Sequence, residues 1–346
     1  MTYPTLLFSA VLLLAAGCSI RTPSSTFDGI YSTTTGRRVI PGTGANTYRG
    51  YPDDRVLQFN FRTAICSFGQ VKPPRKAAQE AKQVFALGIV RVNDTLGIDE
   101  AEIPNREWLQ YLLHQEQAGA TAAPLLPLSS GLPSPDYFSD PFYRYSPITG
   151  ISYEQAVAFC RWRSQVVTAS FNQGNAKPVD SLSTDYMRFT FRLPTEAEWE
   201  LAALVERGLP YGTTCTELPV VVNPSAAAYL KKRSGSPTDA AQIKADIKQY
   251  NQRKPLRSWI NYRQPEPYFL TLLAPGYVYQ GPPNDHGLYQ LLGNAAEMVQ
   301  ERGVTKGGSY LDPLEACTVK ARGTYGGPAP HIGFRCVCEV SYPNRK

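Results

Sequence analysis

The segment Phe191-Arg-Leu-Pro-Thr-Glu-Ala-Glu-Trp-Glu200 changes its hydrophobic period at the centre. Leading into it, Arg188-Phe-Thr-Phe-Arg192 alternates polar and apolar residues, the period of a half-buried strand. Leu193-Pro194 ends that strand, because proline has no N–H to give to a sheet ladder. Thr195 and Glu198 then stand at the spacing of a capping box, in which each side chain satisfies the other residue's backbone N–H. Trp199, Ala202 and Ala203 follow on one helical face. Strand, turn and capped helix succeed one another without a linker, which places this region inside a folded body built from both element types.

Two further helices are announced upstream. Leu96-Gly-Ile-Asp99 reads as a strand, and Asn105 stands where it can cap a helix whose apolar face is Trp108, Leu109, Leu112 and Leu113. Ser152 and Gln155 form a second capping box before Ala156, Phe159, Cys160 and Val167. Val56-Leu-Gln-Phe-Asn-Phe61 alternates as a strand, before the prolines within Lys72 to Arg75 interrupt the pattern. With 29 Pro and 27 Gly the chain is loop-rich, which excludes long helical bundles and coiled coils. A net charge of +6 on 38.2 kDa is too small to mark a dedicated nucleic-acid binder.

The N-terminal eighteen residues, Met1 to Cys18, are apolar over a length suited to a signal peptide and too short to span a bilayer stably. They end in Leu14-Ala-Ala-Gly-Cys18, which is similar to a bacterial lipoprotein signal with Cys18 as the lipidated residue; an ordinary secretory peptide with an incidental cysteine is the alternative. The run departs from that pattern in having no Lys or Arg before it; Ser19 is not the Asp that retains some lipoproteins in the inner membrane, so the expected location is the bacterial cell envelope, lipid-anchored, at the outer membrane. Residues 19–55 are expected to form a tether and 56–346 a single domain, with a basic insertion at about 213–270. Within it, residues 229–257 hold eight Lys or Arg against Asp239 and Asp246, a net +6 that equals the excess of the whole chain. That stretch reads either as a solvated surface helix or as a docking face for an acidic partner or anionic headgroups. Export permits disulfides among Cys66, Cys160, Cys215, Cys317, Cys336 and Cys338, and spacing alone does not select a pairing.

Taken in order, Leu96 to Trp108, Ser152 to Cys160, Phe191 to Glu200, Gly287-Leu-Tyr-Gln-Leu-Leu-Gly-Asn-Ala-Ala-Glu297, Lys306-Gly-Gly-Ser-Tyr310 and Ile332-Gly-Phe-Arg-Cys336 resemble the formylglycine-generating enzyme, or sulfatase-modifying factor, family across roughly residues 84 to 340. The resemblance implies an α+β, C-type-lectin-like, loop-rich fold. It also implies a disulfide between Cys160 and Cys336. The family holds copper-dependent oxidases that turn a substrate cysteine into formylglycine, and relatives without that chemistry, including lipoproteins of gliding motility and type IX secretion. Fold alone does not choose between them.

The oxidase uses two cysteine thiolates five residues apart, since soft sulfur donors select Cu(I). The matching positions here are Asp312 and Cys317, with Ser309 retained and Ala296 where the family carries Trp. This degenerate set points away from copper and from catalysis. Three histidines, His114, His286 and His331, stand at no metal-binding spacing and read as structural or exposed. Glu196, Glu198 and Glu200 fall in a first helical turn, where negative charge complements the dipole. For calcium, the family's oxygen ligands match Gln290, Gly293, Ala295 and Glu297, although Glu297 reads equally as a buried carboxylate that holds the Gly293 loop. A second family site falls near Asn261, with Leu270 or a neighbour at the position of its essential Asp.

The expectation is a non-catalytic lipoprotein of this family that binds other envelope proteins, through 229–257 among other surfaces, as a component of an envelope assembly. The alternatives are a copper-dependent oxidase acting on exported proteins and a calcium-dependent carbohydrate-binding module.

Overall fold

The computed structural model describes residues 32, 34–35, 88–93, 96–173, 178–204, 260–263, 273–279, 283–284 and 286–345. Among them are three helices, α1 (Asn105–Gln117), α2 (Tyr153–Gln173) and α3 (Glu196–Ala203). The strands are β1 (Ile89–Arg91), β2 (Leu96–Asp99), β3 (Arg188–Arg192), β4 (Ala296–Met298), β5 (Val304–Lys306), β6 (Arg322–Thr324), β7 (Ile332–Gly333) and β8 (Val337–Ser341). They form two four-stranded sheets, ordered β1-β2-β8-β3 and β6-β5-β4-β7. The first is antiparallel throughout, with Ile98 opposite Val337 and Phe191 opposite Cys338. In the second, β4 pairs antiparallel with β5 and parallel with β7.

The first sheet divides two apolar cores, and the two-residue period of its strands does the sorting. Ile98 and Val337 point to one side, against Trp199, Ala202, Leu288 and Leu291. Phe189, Phe191, Cys336 and Cys338 join the other core, with Trp108, Phe159 and Phe334. There Trp108 stacks on Phe159 at 5.4 Å between centroids, and Phe334 meets both rings edge-on. Such geometry adds about 0.5–1.5 kcal/mol per aromatic pair beyond area burial.

Both capping boxes form. Thr195 Oγ1 accepts from the Glu198 N–H while Glu198 accepts from the Thr195 N–H, and Ser152 and Gln155 do the same for α2. The expected Asn105 cap does not. Pro104 occupies the cap position, and the first N–H groups of α1 are taken by main-chain carbonyls of a neighbouring segment, Asn105 by Ser146 at 2.9 Å and Arg106 by Arg144 at 2.8 Å. Asn105 turns its amide to the Tyr143 carbonyl instead. A tertiary partner has displaced a local one.

α2 also closes the edge of the first sheet. Ser164, Thr168 and Asn172 recur every four residues along it, a rise of about 6 Å, which matches two residues of strand. Ser164 Oγ accepts from the Phe191 N–H at 2.8 Å, Thr168 Oγ1 from Phe189 at 3.0 Å, and Asn172 Oδ1 from Met187 at 3.2 Å. Side chains of a helix thus stand in for the missing neighbour strand and cover an edge that would otherwise offer itself for pairing.

Several expectations lie outside the described residues: the Val56 to Phe61 strand, Cys18, Cys66 and Cys215, the basic stretch 229–257, and the rest of the insertion apart from 260–263. Within the stretch expected as a tether, Ser32, Thr34 and Thr35 are buried in the body. No described helix is long and apolar enough to cross a membrane.

Thr168→Val keeps the shape and removes the acceptor for the Phe189 N–H. It should lower unfolding free energy by about 1–3 kcal/mol, read as a lower urea midpoint at unchanged m-value, whereas Thr168→Ser should stay near wild type.

Candidate functional site

β4 carries Glu297 into the interior, where Arg335 meets it from the Phe334-Arg335-Cys336 turn. Both side chains are fully buried. Arg335 Nε lies 2.9 and 2.8 Å from the two carboxylate oxygens, and Nη2 donates to Oε1 at 2.7 Å. Trp199 Nε1 donates to Oε2 at 2.8 Å. The remaining guanidinium N–H groups reach the Asp99 carbonyl at 3.1 Å and the Tyr289 carbonyl at 2.8 Å. A second buried pair stands beside it. Arg163 Nη1 holds Asp99, whose Oδ2 also accepts from the Cys336 N–H at 2.7 Å.

Asn294 organises the neighbouring loop from the left-handed region, φ 61°, which asparagine tolerates better than most side chains. Its Oδ1 accepts from the Gly276 N–H at 2.7 Å and from Asn261 Nδ2 at 2.9 Å, while its Nδ2 donates to Glu102 Oε2 at 2.8 Å. Glu102 Oε1 accepts from the Ala295 N–H. Gly293, before it, has φ 72°, and a Cβ there would stand 2.4 Å from the Asn261 carbonyl, so only glycine fits. Burial pushes the Glu102 carboxyl well above its ordinary value; the Glu297 charge raises it further and Arg335 opposes.

The degenerate pocket lies across the same loop. Ser309 is buried and donates to Asp312 Oδ2 at 2.5 Å. Cys317 Sγ sits 3.8 Å from the Ser309 carbonyl and packs against the Trp199 core. Burial, with Asp312 adding to it, pushes the Cys317 thiol up to about 12, so it keeps its proton at neutral pH. Ala296 is buried in β4. His331 follows at the head of β7, its own value lowered by burial against the pull of Asp312, and its Nδ1 has no hydrogen-bond partner among the described residues. His114 instead accepts from Trp162 Nε1 through Nδ1 at 3.0 Å, as a packed aromatic of the core.

The description of the family model that matches residues 74–340 is a sulfatase-modifying factor enzyme 1-like domain. The chain belongs to this family. Among solved structures it is similar to PvdO from Pseudomonas aeruginosa, with 14% identity, 70% of this chain and 80% of that one covered, and a TM-score of 0.42. CarF shows 20% identity over 74% of this chain and 95% of its own, TM-score 0.39. Treponema denticola variable protein 1 shows 19% identity over 73% and 91%, TM-score 0.35. A comparison with curated proteins returns no match.

Within this sulfatase-modifying-factor fold, the two metal expectations can be set against donor chemistry. At the positions expected for copper, the Asp312 carboxylate, engaged by a serine hydroxyl, stands near the single buried sulfur of Cys317. Those donors do not fit a soft Cu(I) ion. At the calcium position, Gln290, Gly293, Ala295 and Glu297 share the loop, but the only carboxylate of that set has both oxygens held by Arg335 and Trp199. A dication there would have to displace charge-assisted hydrogen bonds and stand against a guanidinium, so the set does not fit calcium. Of the two readings of Glu297, the structure shows the buried carboxylate. Among the described residues no three His, Cys, Asp or Glu side chains cluster to hold a metal.

Cys160 and Cys336, the pair expected as a disulfide from the resemblance, lie with their Sγ atoms 3.0 Å apart in the buried core. The acidic first turn of α3 is also accounted for. Glu198 is held bidentately by Arg192, while Glu196 and Glu200 bracket the buried Lys306 ammonium at 3.2 and 2.9 Å. Sequence reasoning missed Arg335, Glu102 and Arg163. The available signal was a charged residue amid apolar neighbours, as in Gly333-Phe-Arg-Cys336, which a loop-rich sequence does not distinguish from a surface turn.

Arg335→Met strands Glu297 in the interior and should cost about 3–5 kcal/mol, while a calcium chelator should leave the thermal midpoint of the wild-type protein unmoved. Glu102 supplies a pH test. A carboxyl raised in the folded state holds a proton that the unfolded chain has released, so its contribution is complete below the unfolded value near 4.5 and is lost as pH rises through the folded value. Between pH 5 and 8 the unfolding free energy of wild type should therefore fall relative to Glu102→Gln, measured by urea titration at each pH.

Proposed function

We propose that the chain is a non-catalytic member of its family, lipid-anchored through Cys18, that serves as a structural or binding component of a bacterial envelope assembly. One observation carries the non-catalytic part. The Asp312 carboxylate accepts the Ser309 hydroxyl at 2.5 Å, so an oxygen already committed to a neighbour stands where the oxidase needs its second sulfur. Cys317 is buried and burial pushes its thiol up to about 12, which disfavours it as a nucleophile, and it stands there without a second sulfur to share a soft ion. What the family scaffold retains is the part that holds loops in place, the Glu297 to Arg335 pair and the Asn294 hub. That favours a rigid presenting surface over a reaction centre.

The anchoring and the assembly rest on the sequence, on Leu14 to Cys18 and on the basic stretch 229–257, whose concentrated charge suits an acidic protein face. Gliding-motility and type IX secretion lipoproteins, which the segments resemble, supply the kind of assembly in question.

Purified protein incubated with Cu(I) and a cysteine-bearing peptide should retain no stoichiometric copper against a thiol-based competitor and yield no aldehyde by mass spectrometry. Tight one-to-one copper with aldehyde formation would establish the oxidase instead. Crosslinking in native membranes should recover envelope proteins, and recovery should weaken when Lys231, Lys232 and Arg233 are changed to Glu; unchanged recovery removes the basic stretch from the contact.

A further inference from the structure

Ser32, Thr34 and Thr35 belong to a stretch whose Ser, Thr and Gly content marks it as slack chain, yet each is more than nine-tenths buried. The Ser32 hydroxyl donates a short hydrogen bond to Glu107 Oε2, and Thr34 Oγ1 donates to the same oxygen at 2.8 Å. The Thr34 carbonyl accepts from Arg163 Nε at 2.6 Å. Ser32 Oγ in turn accepts the N–H groups of Thr34 and Thr35 at 3.2 and 3.0 Å, which folds the segment into a tight hydroxyl-closed turn. The walls that receive it are built and charged: Glu107 in the first turn of α1, also 3.6 Å from Arg106, and Arg163 on α2, fully buried with its guanidinium 4.1 Å above the Phe191 ring.

We infer that Glu107 and Arg163 form a docking slot for a Ser-Xaa-Thr segment, that its occupants are the chain's own Ser32, Thr34 and Thr35, and that these residues are a strap binding the N-terminal region to the ionic core. The chemistry matches on both sides. A buried carboxylate needs donors and two hydroxyls supply them; a buried guanidinium needs acceptors and a main-chain carbonyl supplies one. From Arg163 the contact continues through Asp99 to the Cys336 N–H. A pull on the N-terminal end is therefore received at Glu107 and Arg163 and passed into the centre of the fold, not dissipated in a flexible linker.

Hydrogen exchange of the full-length protein tests this directly. Amides of residues 34 and 35 should be protected at least a hundredfold over unstructured chain; exchange at the unprotected rate overturns the inference. In the same full-length chain, Ser32→Ala with Thr34→Val should raise the unfolding equilibrium constant at least tenfold, because hydrogen bonds to a buried charge are among the stronger ones, and should abolish the protection at 34 and 35. Ser32→Thr with Thr34→Ser, which keeps both hydroxyls, should restore it. An unfolding constant that the Ala/Val pair leaves unchanged also overturns the strap, as does a Thr/Ser pair as damaging as the Ala/Val pair.

Discussion

The salt bridge between Glu297 and Arg335 is the constraint on which the interior depends. Two full charges without solvent exposure are tolerated only where every donor and acceptor is used. Here Arg335 spends its N–H groups on Glu297 and on the carbonyls of Asp99 and Tyr289, while Glu297 also receives Trp199. Those contacts come from β2, α3, β4, the Tyr289 loop and the turn before β8. Removing either charge leaves the other unpaired in the interior, so the pair fixes how the two sheets and α3 meet.

Around that pair the protein uses polar side chains where a more regular fold would use secondary structure. Asn294 joins loops that share no strand, and Gly293 lets the chain pass within contact of Asn261. The hydroxyl and amide row on α2 finishes a sheet edge. Lys306 ties α3 to β5 between Glu196 and Glu200. A chain rich in Pro and Gly has few long ladders, and its backbone groups must find side-chain partners. The carboxylates at the expected metal positions are drawn into the same network, Glu297 by Arg335 and Trp199 and Asp312 by Ser309.

The elements around Phe191 to Glu200 were legible because each is fixed by neighbours in sequence. Alternation made β3, and residues three apart made the boxes at Thr195 and Ser152. Asn105 shows the limit. Its residue type favours a cap, but Ser146 and Arg144 offered main-chain acceptors from forty residues away, and nothing local announces such a carbonyl. Ser32, Thr34 and Thr35 fail in the opposite direction, since a composition suited to slack chain equally suits hydrogen bonding to a buried carboxylate once one is brought near. At the candidate site, Asp312 and Ala296 could be read as substitutions in a family pattern, and the structure adds that Asp312 is already bonded.

By itself the sequence determined the strand-turn-helix units and the family, because these depend on local spacing and residue identity. Only the tertiary structure decided that Glu297 belongs to Arg335, that burial raises the Glu102 carboxyl beneath Asn294 and that Ser32 and Thr34 bond to Glu107 and Arg163. The physical reason is that the state of a buried charge is set by desolvation and by partners far along the chain, and neither quantity is written in the residues next to it.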